Sequence, residues 1–122
     1  MIIWITGISG AGKTTVSQLL YQHFAYQANK LILLDGDQLR QVFWEKDKSG
    51  GYSRSERLSL ALKYSKLCKL LSSQNVDVII ATISMFQEVF AWNRENLENY
   101  FEVYLRVPQE VVIDRDSKGL YK

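Results

Sequence analysis

Cysteine is nearly absent: Cys68 is the one thiol in 122 residues. An intramolecular disulfide and a cysteine zinc site are therefore excluded, which suits a reducing cytoplasm. Histidine is as rare. His23 has no second histidine or nearby acid at ligand spacing, so it reads as a packing or surface residue. Proline occurs once, and no stretch is rich in Pro, Gly or Ser, which leaves no linker or low-complexity tract. No apolar run approaches the ~20 residues of a membrane span. The run Ile2 to Ile5 is also far shorter than the hydrophobic region of a signal peptide. A cytoplasmic protein without a membrane partner is expected. Neither sign of charge dominates: 15 Lys and Arg face 13 Asp and Glu, for a net +2. The basic residues are scattered, without the stripe or patch of a nucleic-acid surface. Anionic small molecules remain as ligands.

The composition that is present, 47% hydrophobic and 23% charged, is that of a soluble globular domain, and 122 residues suffice for one core. A single domain over 1–122 is expected. Four short β-branched-rich runs predict strands: Ile2 to Thr6, Leu31 to Leu34, Val76 to Ile83 and Phe101 to Val107. The first three are nearly continuous in apolar character, the pattern of strands covered on both faces in a parallel sheet. Between them, helical spacing runs over Thr14 to Tyr26, Gln38 to Glu45, Arg54 to Ser73 and Met85 to Asn99. Ser53 or Ser55 is placed to cap the third helix, and Leu58, Leu62, Leu67 and Leu70 or Leu71 form its expected core face. Alternating strands and helices predict a three-layer α/β fold of P-loop NTPase type, with ligands at the carboxyl ends of the strands.

Gly7-Ile8-Ser9-Gly10-Ala11-Gly12-Lys13-Thr14 matches G-x-x-x-x-G-K-[ST] at every fixed position. It lies directly after a predicted strand and before a predicted helix, the context that a phosphate-binding loop requires. Glycines let the backbone curl its N–H groups onto phosphate oxygens, and the helix N-terminus adds its positive dipole end. Lys13 is then expected on the β- and γ-phosphates of ATP. Thr14 offers its hydroxyl to Mg²⁺, and Ser9, Gly10 and Ala11 shape the loop. Asp35-Gly36-Asp37 leaves the second strand on the same side of the sheet. Phosphoryl transfer to a hydroxyl needs a neutralising metal and a carboxylate to orient the nucleophile, tasks that Asp35 and Asp37 can divide. Asp35 would hold Mg²⁺ directly or through a water. Arg40, one turn past Asp37, can hold an anionic acceptor; the alternative role for Asp37 is to cap the helix from Gln38. No Asn-Lys-x-Asp segment selects guanine.

These segments resemble the adenylylsulfate (APS) kinases, which transfer the γ-phosphate of ATP to the 3′-hydroxyl of adenosine 5′-phosphosulfate in sulfate assimilation. The likeness runs through Trp4-Ile5-Thr6-Gly7, Leu34 to Arg40, Gly51-Tyr52-Ser53 with Glu56-Arg57, Ile83-Ser84, Phe101 to Tyr104, and Arg115-Asp116-Ser117-Lys118-Gly119-Leu120-Tyr121. It implies Thr15 and Arg115 on ATP, Tyr52 stacked on the acceptor base, and Arg57 with Arg40 on the phosphosulfate. Ser84 would lie near the reacting phosphates, and Lys118, Gly119 and Leu120 beside the acceptor and a mobile lid. The family continues past this point through that lid and a further strand, and a homodimer is compatible with the resemblance. Some family positions differ. Where the family carries an asparagine and then two arginines, this chain has Leu60, Leu62 and Lys63; where it continues Ile-Ser with Pro-aromatic-Arg, the chain reads Met85-Phe86-Gln87. A kinase acting on a related nucleotide, such as cytidine diphosphoramidate, is the alternative, and a non-catalytic nucleotide-binding module is a second.

Elsewhere the residues read as structural. Cys68 is a small filler in the third helix, Trp44 and Trp92 carry no assigned chemistry, and Asn93 to Asn96 reads as a solvated helix face from which Arg94 could replace a missing family arginine.

Overall fold

A computed structural model describes residues 1–8, 10–26, 30–43 and 53–106. Along these, the elements run β1 (Ile2–Thr6), α1 (Lys13–Phe24), β2 (Leu31–Asp35), α2 (Gly36–Phe43), α3 (Arg54–Ser73), β3 (Asp77–Thr82), α4 (Gln87–Asn96) and β4 (Tyr100–Tyr104). The strands form one parallel sheet in the order β2-β3-β1-β4. Trp4 is level with Ile80 on one side and Glu102 on the other, and Thr6 with Thr82 and Tyr104. All strand carboxyl ends therefore share one edge. None of the described helices is long and apolar enough to cross a membrane.

Period-two alternation divides the apolar strands between two cores. Ile2, Trp4, Val78 and Ile80 pack with Ala61, Tyr64, Cys68 and Val89 of α3 and α4. Ile3, Ile5, Ile79 and Ala81 pack with Val16, Leu20 and Phe24 of α1. Burying each such isoleucine contributes roughly 1.5–3 kcal/mol. The expected covering of both sheet faces is met in full by β1, whose every residue is buried, and nearly so by β3. The second apolar run, β2, is half-buried throughout, because it pairs with β3 alone among the described strands.

Helix α3 has the expected bounds, and Ser53 caps it by accepting from Glu56 N at 3.2 Å. Its core face differs from the leucine pattern. The buried stripe is Leu60, Ala61, Tyr64, Ser65 and Cys68, with Leu58, Leu62, Leu67 and Leu71 at its margins and Leu70 exposed. Small residues at the centre of the stripe let the helix approach its neighbours closely, while leucines flank the contact. The remaining bounds shift modestly. Helix α4 starts at Gln87 rather than Met85, because Phe86 is extended, and ends at Asn96, short of the positive-φ residue Asn99 that turns the chain into β4. Strand β4 ends at Tyr104 instead of Val107, which lies outside the described residues. Cys68 is fully buried as expected, and burial pushes its thiol up to about 12.

Helix α2 begins at Gly36, two residues before the expected Gln38. A Cβ on Gly36 would lie 3.0 Å from the Ala81 carbonyl oxygen and 3.2 Å from Thr82 Cα. Glycine is needed here for this close approach to β3. Because the opposing atoms are backbone, Gly36→Ala is expected to cost about 1–3 kcal/mol, read as a lower denaturation midpoint in urea with an unchanged slope. For Cys68 the raised thiol pKa means that the folded chain keeps a proton the unfolded chain loses above about pH 9. Its contribution is therefore full below pH 9 and lost as the pH climbs towards 12. A thiol reagent at pH 8 is expected to label Cys68 only on unfolding, which stopped-flow labelling against urea concentration measures.

Candidate active site

The loop between β1 and α1 is shaped by two left-handed glycines, Gly10 at φ 86° and Gly12 at φ 95°. An L side chain at either position would be strained. Gly12 is also the N-cap of α1, and no side chain caps that end. The first-turn N–H groups thus have no side-chain acceptor, which is the arrangement that receives phosphate oxygens. Ala11 is buried beneath the loop, and its N–H donates to the Ile8 carbonyl at 3.1 Å. Lys13 arches back over the loop, its Nζ donating to the Gly7 and Ile8 carbonyls at 2.9 Å each. The base of the loop is held from the other side: Leu105 N donates to Thr6 O at 2.8 Å, and a Cβ on Gly7 would meet Leu105 O at 2.8 Å. Thr14 and Thr15 stand exposed in the first turn of α1. Ser9 lies outside the described residues.

Across the carboxyl edge, Asp35 ends β2 and its Oδ1 accepts from Asp37 N at 2.7 Å and from Gln38 N at 3.4 Å. Asp35, rather than Asp37, therefore caps α2, because the helix starts two residues earlier than its apolar spacing suggests. Asp37 is turned to Arg40, whose Nη2 donates to Asp37 Oδ1 at 3.0 Å. This half-exposed pair contributes little to stability but fixes a carboxylate and a guanidinium side by side. The Tyr64 hydroxyl is pushed up to about 12, chiefly by burial, with Arg40 opposing and Asp37 adding to the shift.

Between these two groups the strand ends supply hydroxyls. Thr6 Oγ1 donates to the Ser84 carbonyl at 3.2 Å, Ser84 N donates to Thr82 Oγ1 at 3.2 Å, and the Thr82 and Ser84 hydroxyls lie 2.8 Å apart. Ser84 is thereby tied to the strand that carries the phosphate loop. Thr6 and Thr82 are site residues that the motifs do not flag; their signal is a threonine at the final position of two adjacent central strands. Arg57 is exposed in the first turn of α3. Near it, Arg54 Nη2 donates to both carboxylate oxygens of Glu88, at 3.1 and 2.9 Å, and the guanidinium lies 5.2 Å over the Phe86 ring, which joins the amino ends of α3 and α4. Lys13, Asp35, Asp37, Arg40 and Ser84 thus come to one edge. Tyr52, Arg115, Lys118, Gly119 and Leu120 lie outside the described residues, as does Trp44.

Leu60 is buried in the core, and Leu62 packs at its margin. Arg94 and Glu95 are exposed, as on a solvated face, but Asn93 is fully buried and donates to the Tyr100 hydroxyl at 3.2 Å. Its spacing of four from Val89 is the sequence signal of that burial. Arg94 is committed to Glu102, with Nε to Oε1 at 2.9 Å and Nη2 to Oε2 at 2.6 Å. It lies in the last turn of α4, far along the helix from the carboxyl edge. Burial and the Glu102 hydrogen bond push the Tyr100 hydroxyl up in the same network. His23 is exposed and packs edge-on to Phe24, as a surface residue does.

Residues 1–122 match the family model of adenylylsulphate kinase. Among curated proteins, cytidine diphosphoramidate kinase of Campylobacter jejuni is 44% identical over 120 residues, covering 98% of this chain and 68% of that protein. Adenylyl-sulfate kinase of Gloeothece citriformis is 36% identical over 120 residues, covering 98% of this chain and 66% of that protein. Among solved structures, the APS kinase of Mycobacterium tuberculosis in complex with AMPPNP and APS superposes with a TM-score of 0.82 at 30% identity, covering 98% of this chain and 70% of that one. The chain spans about two thirds of the length of these relatives. With its phosphate loop, helix-capping aspartate and parallel sheet in the arrangement described, the chain belongs to the adenylylsulphate kinase family of ATP-using P-loop phosphotransferases.

Proposed function

We propose that this chain is a single kinase domain that transfers the γ-phosphate of ATP to the 3′-hydroxyl of a nucleotide in a reducing cytoplasm, alone or as a homodimer. The observation that carries the reading is the convergence of Lys13, Asp35, Asp37 and Ser84 on one sheet edge. In the proposed ground state Lys13 leaves the loop carbonyls for the β- and γ-phosphates, and the loop N–H groups bind the remaining oxygens. The described residues hold no cluster of three metal-binding side chains, so Mg²⁺ would be held by Thr14, by Asp35 directly or through a water, and by the nucleotide phosphates. That ion would neutralise charge developing on the β–γ bridge. Asp35 can cap α2 through Oδ1 and use Oδ2 for this purpose. Asp37, paired with Arg40, orients the 3′-hydroxyl and takes its proton. As that occurs, the bond from the hydroxyl oxygen to γ-phosphorus forms and the bond from γ-phosphorus to the bridging oxygen breaks.

Two acceptors follow from the resemblance, APS and cytidine diphosphoramidate. The burial of Leu60 in the core, and the commitment of Arg94 to Glu102, favour the second. Leu60 stands where the family carries an asparagine, and Arg94 is held by the Glu102 carboxylate. The 44% identity to a cytidine diphosphoramidate kinase supports the same choice.

Lys13→Ala is expected to lower turnover on the order of 10²–10³-fold with little change in stability. The two tasks of Asp35 separate by substitution. Asp35→Asn keeps the cap acceptor and is expected to leave the melting temperature unchanged while turnover falls; Asp35→Ala is expected to lose about 1 kcal/mol of stability as well. Acceptor choice is read by following ADP release and product mass with each nucleotide offered separately. Turnover of the cytidine compound alone is expected. Equal turnover of APS would overturn the preference, and tight ATP binding without transfer to either acceptor would mark a binding module.

A further inference from the structure

The pairing of β1 with β3 sets Thr6 level with Thr82 at the carboxyl ends of both strands. Each follows a buried core residue, Trp4 or Ile80, at a spacing of two, so both threonines share the sheet face that α2, α3 and α4 cover. Thr6 is 2% exposed and Thr82 4%. Thr82 also borders the aspartate turn, since a Cβ on Gly36 would stand 3.2 Å from its Cα and 3.2 Å from its Cβ. Its packing places it between the strand that enters the phosphate loop and the turn that joins Asp35 to Asp37. Neither the phosphate-loop motif nor the family resemblance, which takes in Ile83-Ser84, names it.

Ser84, two residues past the end of β3, is half-buried. Its carbonyl accepts from Thr6 Oγ1 at 3.2 Å, its N–H donates to Thr82 Oγ1 at 3.2 Å, and its hydroxyl lies 2.8 Å from the Thr82 hydroxyl. The last contact has a direction. A hydroxyl has one proton to donate and two lone pairs with which to accept. Thr82 Oγ1 already accepts the Ser84 N–H, and its own O–H has Ser84 Oγ at hydrogen-bond distance to donate to. Were the serine the donor, Thr82 would accept twice and leave a buried O–H with no described acceptor, which is the costly arrangement. With Thr82 donating, the Ser84 proton turns away from the strand, and the half-buried serine presents an O–H donor at the carboxyl edge.

We propose that Thr82 is a positioning residue that fixes Ser84 as a hydrogen-bond donor to an oxygen of the transferring phosphoryl group. This rests on the kinase reading above, in which Ser84 lies near the reacting phosphates. Ionised phosphate oxygens only accept, so a serine beside them aids transfer when its proton points into the site. A serine hydroxyl held by nothing rotates, and each orientation that gives its proton to a neighbouring protein oxygen is lost to the ligand. Thr82 removes that freedom at two points: it anchors the serine backbone through the N–H, and it fills an acceptor lone pair of Oγ with its own proton. Both contacts exist without a nucleotide, so the donor is set before phosphate arrives. Ser84 keeps its proton throughout, and the bonds that form and break are the O–P bonds of the transfer alone.

The test is Thr82→Val, which keeps the shape beside Gly36 and removes the hydroxyl, made alone and together with Ser84→Ala; Thr82→Ser puts a hydroxyl back. Steady-state kinetics with Mg-ATP and each of cytidine diphosphoramidate and APS, and thermal unfolding, are measured on these variants, on Ser84→Ala and on the unmodified protein. Thr82→Val is expected to lower turnover at saturation about tenfold with the KM for ATP unchanged, and Thr82→Ser to recover most of that loss. Adding Thr82→Val to Ser84→Ala is expected to lower turnover no further, because the proton that Thr82 orients is already gone. A role confined to the turn after β3 would lower the melting temperature, and would cut turnover by the same factor with or without the serine hydroxyl. That equal cut, or full turnover in Thr82→Val, overturns the proposal and leaves the kinase reading intact. Should the valine variant not fold, Thr82→Ala is compared with Thr82→Ser in the same two backgrounds, and the same outcomes decide. An unmodified protein that binds ATP and phosphorylates neither acceptor overturns the kinase reading, and the role of Thr82 with it.

Discussion

Parallel pairing of β1 between β3 and β4 is the constraint on which the rest of the structure depends. A strand buried on both faces and paired on both edges has one direction in which its chain can leave, and β1 leaves into the phosphate loop. Parallel neighbours end on the same edge. Register then brings Thr6 level with Thr82, and Ser84 follows two residues later, within hydrogen-bond reach of both. The site is a consequence of sheet order more than of any local attraction among its members. The contacts that secure the loop are also backbone ones. Leu105, leaving β4, donates to Thr6 and packs its carbonyl where a Gly7 side chain would stand.

Charge at this edge is arranged around donors and acceptors with two uses each. Asp35 spends one oxygen on the amino end of α2, which both starts the helix early and holds the carboxylate rigid. Lys13 spends its ammonium on two loop carbonyls that phosphate oxygens would outcompete, since a charged acceptor strengthens the bond about twofold. Arg40 and Asp37 hold one another beside the start of α2. In each case a stabilising contact pre-positions a group for a ligand, so little reorganisation is needed on binding.

The opposite edge is ruled by different chemistry. Asn93, Tyr100, Glu102 and Arg94 form one connected network around the outer face of β4. It saturates the arginine and the carboxylate with each other and draws α4 onto the last described strand. Polar residues that resemble a solvated run in one dimension thus become a lateral brace in three.

The phosphate loop, the strand order of events along the chain and the bounds of α3 were legible because each rests on neighbouring residues. Gly10, Gly12 and Lys13 act within a few positions of one another, and Ser53 caps a helix that starts at the next residue. Other features depend on partners distant in sequence. Gly36 looks like a turn glycine until Ala81 and Thr82 are set against it. Leucine spacing points to the wrong centre for α3, because close packing places Ala61, Ser65 and Cys68 innermost, where a small volume matters more than hydrophobicity. Asp35 and Asp37 exchange the capping role once the approach of α2 to β3 moves the helix start. What the sequence by itself determined was the loop that grips phosphate and the alternation that forces a parallel sheet, since backbone conformation and period are local properties. Only the tertiary structure decided which carboxylate caps and which arginine is already paired, because burial and charge depend on chain segments that meet only when folded.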